Sequence, residues 1–300
     1  MLGSSIVAQW HAIRPDDELV PFTRDTADLR DAIATHESIR DAHPDAIIHA
    51  AARVAGIAEK MAQPASFLQE NLQLDNNVIS TAIDLEVTEL LYISSGAIYP
   101  AGLRQPLVEA DLLTAPLEPA NEGYALAKIA GSKLCAYASS QYGFAYRAAV
   151  PSNLYGPGDD FGAGRAHLVA STISKAYEAV QSGAKSVSVW GDGTARREFT
   201  YVGDLASWLV RQVGNLQAWP SLLNLGVGHD HSVSEYYEAA ARTVGFTGVL
   251  EYDTDKPSGV MQRLLDSGKA RALGWDPKTS LDDGYDACYA DFLGMKKDGR

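Results

Sequence analysis

Leu90-Leu-Tyr-Ile-Ser-Ser-Gly96 decides the fold. Its first four residues are apolar and β-prone, and they stop at small residues where a ligand can approach the backbone. Some thirty residues past Ser95, Asn121-Glu-Gly-Tyr-Ala-Leu-Ala-Lys128 opens a second pattern. Ala125, Leu126, Ala127, Ile129 and Ala130 are good helix formers, so this segment reads as a helix. A strand, a hydroxyl at its end and a following helix form the repeating unit of a parallel sheet.

The alternation extends in both directions. Glu18-Leu-Val-Pro-Phe22 reads as a strand and Asp45-Ala-Ile-Ile-His-Ala-Ala-Ala52 as a buried strand ending in small residues. A long helix is expected around Ser66–Asp84, and Ala145–Pro151 reads as a further strand. This order predicts right-handed βαβ units and a doubly wound parallel sheet of the Rossmann type over residues 1–155. Past Gly156-Pro-Gly158 the pattern loosens, with Gly162-Ala-Gly164 marking another loop. Residues 156–300 read as a smaller α/β substrate domain, with 200–227 expected to return to the main sheet. Ligands bind such sheets at the carboxyl ends of the strands. Ala50–Ala52, Ser94–Gly96 and Ser152-Asn153 fall there. At the beginning, Met1-Leu-Gly3-Ser-Ser-Ile reads as the last glycine of a phosphate-binding loop running into its helix. The first strand and earlier glycines of a dinucleotide fold are missing, so this chain is expected to hold its cofactor more weakly than a version carrying them.

Composition removes several classes. A chain of 300 residues with 46% hydrophobic and 21% charged content buries a sizeable globular core. Its net charge of −13 argues against nucleic acid or an anionic membrane as the main partner. Local Arg and Lys groups can still bind an anionic small ligand. The two cysteines, Cys135 and Cys288, have no metal-ligand spacing around them, which leaves no basis for a disulfide framework or structural zinc. No run approaches a membrane span and the first residues lack a signal-peptide pattern, so a cytoplasmic location is expected.

Tyr124 and Lys128 lie four residues apart and share one helix face. A free phenol titrates near 10, so the lysine is expected to lower it for proton transfer near neutrality. With the Ser95 hydroxyl, the pair reads as a site for interconverting an alcohol and a ketone beside a nicotinamide cofactor. The spacing alone is weak, because Tyr252-Asp-Thr-Asp-Lys256 repeats it in turn-forming sequence ahead of Pro257. A bland alternative has Tyr124 snorkelling and Lys128 solvated. The strand-loop-helix context favours the catalytic reading.

Further segments carry a resemblance. They are Ala50-Ala-Ala-Arg-Val-Ala-Gly-Ile57, Asn121-Glu-Gly-Tyr-Ala-Leu-Ala-Lys-Ile-Ala-Gly131, Pro151-Ser-Asn-Leu-Tyr-Gly-Pro157 and Val189-Trp-Gly-Asp-Gly-Thr-Ala-Arg-Arg-Glu-Phe199, with Lys256-Pro-Ser-Gly259 and Arg263-Leu-Leu-Asp266. Together they resemble the extended short-chain dehydrogenase/reductase family, in its branch acting on GDP-4-keto-6-deoxy sugars. The resemblance implies NADPH-dependent reduction of a GDP-sugar ketone at C4, after epimerisation at C3 and C5. It implies Ser95, Tyr124 and Lys128 as the catalytic triad and His167 as an acid of epimerisation. Cofactor contacts are implied for Gly3, Arg24, Ala51, Ser94, Lys128, Pro151, Asn153, Leu154 and His167. Substrate contacts are implied for Asn153, Lys175, Trp190, Arg197 and Lys256. Arg24 favours the 2′-phosphate of NADP(H), although Asp25 follows it. The helices around Ser66–Asp84 and Tyr124–Ser139 are implied as a homodimer interface. One departure stands out: Ala97 occupies the place where the family has a cysteine base. The reductase half is complete and the epimerase half lacks that base. A nucleotide-sugar 4-epimerase with retained NAD and a non-catalytic nucleotide-sugar-binding relative are the alternatives.

Overall fold

The computed structural model describes residues 1–162, 166–256 and 260–297, so Ala163-Gly-Arg165 and Pro257-Ser-Gly259, parts of two sequence motifs, lie outside it. The first half contains α1 (Leu2–Ile13), α2 (Ala32–Ala42), β1 (Ala46–His49), α3 (Ile57–Ala62), α4 (Pro64–Asp84), β2 (Glu89–Ile93), α5 (Glu122–Tyr142) and β3 (Ala145–Pro151). Then come β4 (Asn153–Tyr155), α6 (Leu168–Ser182), β5 (Ser186–Trp190), β6 (Arg196–Arg197), β7 (Phe199–Tyr201), α7 (Val202–Gln212) and β8 (Leu222–Leu225). The chain closes with β9 (His231–Ser232), α8 (Val233–Val244), β10 (Val249–Asp253), β11 (Gln262–Arg263), α9 (Gly268–Ala272) and α10 (Leu281–Lys297).

Among the described residues the main sheet runs β1-β2-β3-β8, with every pairing parallel. Alternate residues of β2 serve opposite faces, because side chains in a strand alternate. Leu90 and Tyr92 join Val78, Ile79 and Ala82 of α4 and Cys135 and Ala138 of α5. Leu91 and Ile93 join Leu2, Ile6 and Trp10 of α1 and Leu205 and Leu209 of α7. Both faces are therefore covered, as a parallel sheet requires. Burying each leucine contributes roughly 1.5–3 kcal/mol. Gly131 lets α5 lie close on the sheet: a Cβ there would stand 2.5 Å from the Tyr92 ring.

Glu18–Phe22, expected as a strand, pairs with nothing. Val20 and Phe22 are exposed and the segment is irregular. β-propensity produces a strand only where a neighbour offers a ladder and a surface to cover. β8 extends the main sheet, with Ala148–Pro151 paired to Leu222–Leu225. A second apolar cluster gathers α6, α8 and α10 around Val169, Ile173, Val187, Val189, Tyr236, Tyr285 and Phe292. Its β10–β5 pair is also parallel.

Candidate active site

Tyr124 sits in the first turn of α5, buried, with Ser95 within hydrogen-bonding reach of its phenol. Ser95 leaves the end of β2, and its hydroxyl accepts from the Ala97 backbone N–H at 3.2 Å, starting a single turn over Gly96–Ile98. One helical turn past Tyr124, Lys128 is only 1% exposed. Its ammonium donates to Asp75 Oδ1 of α4 at 3.3 Å and lies 4.5 Å from the centre of the Tyr92 ring. The same oxygen accepts from His49 Nε2 of β1 at 2.9 Å, and Asp75 Oδ2 accepts from the Tyr92 hydroxyl at 2.5 Å. Burial alone would raise the Asp75 carboxyl, but Lys128, His49 and Tyr92 together hold it below its ordinary value. Burial lowers Lys128, and Asp75 opposes that loss of charge.

This inner network changes one expectation. Burial raises Tyr124 above the ordinary phenol value, Ser95 lowers it in part, and Asp75 raises it further. Lys128 does not dominate the phenol, because its charge is answered by the carboxylate beside it. A phenol that stays protonated is the form suited to donating a proton to a ketone.

The outer flank of Tyr124 is built differently. Lys60 of α3 places its amine 4.8 Å from the centre of the Tyr124 ring and donates to Asn121 Oδ1 at 3.1 Å. Burial brings it down to about 8, with Glu118 opposing and Arg263 assisting. Arg263 of β11 pairs with Glu118 at 3.2 Å and donates to the Gly96 carbonyl at 3.4 Å. Arg197, half-buried, feels both Arg263 and Glu118. His167 caps the start of α6 through its backbone and is exposed. Partial desolvation lowers its ring, Asp159 raises it, and Lys60 adds to the lowering.

Other expected contacts fall into two groups. Lys175 and Lys256 converge on Trp190, with ammoniums 5.9 and 6.0 Å from its ring centre. Lys175 also donates to the Tyr237 hydroxyl at 2.9 Å, and the indole is 58% exposed, so this patch is open to a ligand. Asn153 begins β4, exposed, and Leu154 follows it half-buried. Ala51, Ser94 and Pro151 stand at or just past the ends of β1, β2 and β3. These small side chains, with Lys128 beneath, fit a dinucleotide lying across the strand ends. Arg24 is exposed in a turn, and Gly3 is exposed in the first turn of α1. Sequence reasoning missed His49, Asp75, Tyr92, Lys60, Glu118 and Arg263 as members of the site.

A buried Tyr and Lys one helical turn apart, with a Ser from a parallel strand end, stand at the carboxyl ends of the strands of a parallel α/β sheet. The chain belongs to the NAD dependent epimerase/dehydratase family, whose model matches residues 1–226. A GDP-L-fucose synthase from Azorhizobium caulinodans is 41% identical over 293 residues, spanning 98% of this chain and 93% of that protein. A GDP-L-colitose synthase from Yersinia pseudotuberculosis is 36% identical over 297 residues, spanning 99% and 96%. The structure of a GDP-mannoheptose C4 reductase from Campylobacter jejuni with NADP bound superposes with a TM-score of 0.87 at 29% identity, covering 97% and 95%.

Proposed function

We propose that this chain reduces the C4 ketone of a GDP-4-keto-6-deoxy-hexose with NADPH. The observation carrying the reading is the buried Tyr124, with Ser95 in reach of its phenol and Lys128 one turn along the helix. The GDP-sugar names of the relatives support the substrate class. When bound, the nicotinamide supplies the hydride. Ser95 and Tyr124 donate hydrogen bonds to the ketone oxygen, and Tyr124 gives up its proton as the alcohol forms. Lys128, paired with Asp75, stands one turn from the phenolate left behind and holds a ribose hydroxyl. Lys175, Lys256 and Arg197 meet the diphosphate as cations, with Trp190 against the nucleotide. Residues 1–155 with 200–227 bind the cofactor, and the rest of 156–300 binds the sugar nucleotide.

The chain acts as a homodimer through α4 and α5, whose Leu72, Leu126 and Tyr137 are exposed apolar side chains. Sedimentation at micromolar concentration checks this, and a monomer rejects it. We place its work in the cytoplasm; the sequence carries no signal-peptide pattern. Among the described residues no helix is long and apolar enough to cross a membrane.

The test is a panel of 4-keto nucleotide sugars with NADPH. We expect NADPH oxidation matched by C4 alcohol formation with the GDP-4-keto-6-deoxy-hexose. Retained NAD with C4 inversion and no net NADPH consumption would replace the reading with a 4-epimerase. No turnover of any member would reject it.

A further inference from the structure

Lys60 is a half-buried amine over the Tyr124 ring, and the reduction described above gives it no task. Among the described residues its groove is lined as follows. Asn121 accepts from the amine at 3.1 Å, Tyr124 lies beneath it, Glu118 and Arg263 stand paired beside it, and His167 feels its charge. On its own helix, Glu59 is paired with Arg53 at 3.1 Å. The amine's oxygen partner is thus an amide, which cannot lock it in the ammonium form as a carboxylate would. A ketone oxygen bonded to Tyr124 and Ser95 would leave C3 and C5, the two carbons beside the carbonyl, next to the residue over whose ring the Lys60 amine stands. Hydrogens on such carbons are acidic because the electron pair left behind spreads onto oxygen. Ala97, two residues past Ser95, offers only a methyl group.

We propose that Lys60 is the base that removes a proton from a carbon beside the C4 ketone, opening that centre to exchange or inversion before reduction. The proposal rests on the ketone binding at Tyr124. In the step, the Lys60 lone pair takes the proton from C3 or C5. The released C–H pair becomes a carbon–carbon double bond, and the carbonyl π pair moves onto O4. Ser95 and Tyr124 donate to the resulting oxyanion. Return of the proton from Lys60 restores the original configuration; a solvent proton added from the other face inverts it, and Lys60 gives its proton up to solvent. Nothing is oxidised or reduced. Burial of the amine keeps a useful fraction uncharged near neutrality, so proton removal rises with pH and levels above about 8.

The test incubates the full chain with GDP-4-keto-6-deoxymannose in D2O without NADPH, reading deuterium at C3 and C5 by NMR and mass. NADPH oxidation is followed separately in water. Wild-type protein is expected to catalyse exchange, and Lys60→Met to lose it by roughly 10²–10⁴-fold. Lys60→Arg keeps the cation in the groove but holds its proton at these pH values, so it is expected to lose exchange as well. It also separates loss of the base from loss of folding. Exchange persisting in both variants overturns the proposal. Wild-type protein that oxidises NADPH without exchange also overturns it and leaves the reductase reading standing. Absence of both activities overturns the two together.

Discussion

Two lysines flank Tyr124; burial lowers both, and their partners differ. Lys128, inside, meets the Asp75 carboxylate at 3.3 Å. Lys60, at the mouth, meets the Asn121 amide oxygen at 3.1 Å. Removing an ammonium from water costs free energy in both places. A carboxylate opposes that cost by stabilising the charged form, whereas a neutral amide opposes it less. The inner lysine therefore has a partner that favours its charge, and the outer one lacks a carboxylate within hydrogen-bond distance among the described residues. One tyrosine thus stands between an ammonium paired with a carboxylate and an amine paired with an amide.

The comparison pivots on the phenol, so its removal should have the largest effect. Tyr124→Phe is expected to lower turnover by about 10²–10⁴-fold, with nucleotide-sugar binding retained by calorimetry. Near wild-type turnover would remove the phenol from the chemistry and the two flanks with it.

Asp75→Asn breaks the inner flank. Removing one partner of a buried ion pair costs about 3–5 kcal/mol, measurable by urea denaturation. The native pKa of Asp75 is depressed, so its contribution is present above the unfolded value near 3.9 and is lost as pH falls through the lower native value. The wild-type advantage over the Asn variant should therefore shrink on acidification below about pH 4. A pH-independent difference would mean that packing, rather than charge, holds the inner flank.

Tyr92→Phe removes one donor to Asp75 and leaves Lys128 and His49 in place. A hydrogen bond to a charged group contributes about 1.5–3 kcal/mol, so stability should fall by that amount, less than for Asp75→Asn. An equal loss would show that the network acts as a unit.

The smallest effect belongs to the outer flank. Asn121→Ala takes away the acceptor of the Lys60 amine, which favours its uncharged form. The midpoint of the exchange profile should move down by about one pH unit, equivalent to about 1.4 kcal/mol. An unmoved midpoint would show that Asn121 does not hold the charge.

Much of the frame was legible in the chain. β2, α5 and β3 appear where the apolar and small-residue patterns put them, since local periodicity and strand pairing point the same way there. Glu18–Phe22 failed because β-prone residues without a neighbouring ladder have nothing to bond. Asp75 carried a usable signal: it lies with Phe67, Asn71, Val78 and Ile79 among the buried residues of α4. A carboxylate on a buried stripe needs a partner. His49 within the apolar run of β1 carried the same signal. Lys60 carried none, because a lysine in a short helix resembles any solvated one.

The sequence by itself determined the parallel sheet, the strand-end hydroxyl and the one-turn spacing of Tyr124 and Lys128. Each of these depends on neighbours a few residues apart, which periodicity encodes directly. Only the tertiary structure decided which lysine received a carboxylate and which an amide. Asp75 and Lys128 lie on different helices, and Lys60 and Asn121 on segments far apart in the chain. Desolvation and pairing depend on distances through space, and those are set when α4, α5 and the 118–121 turn pack together.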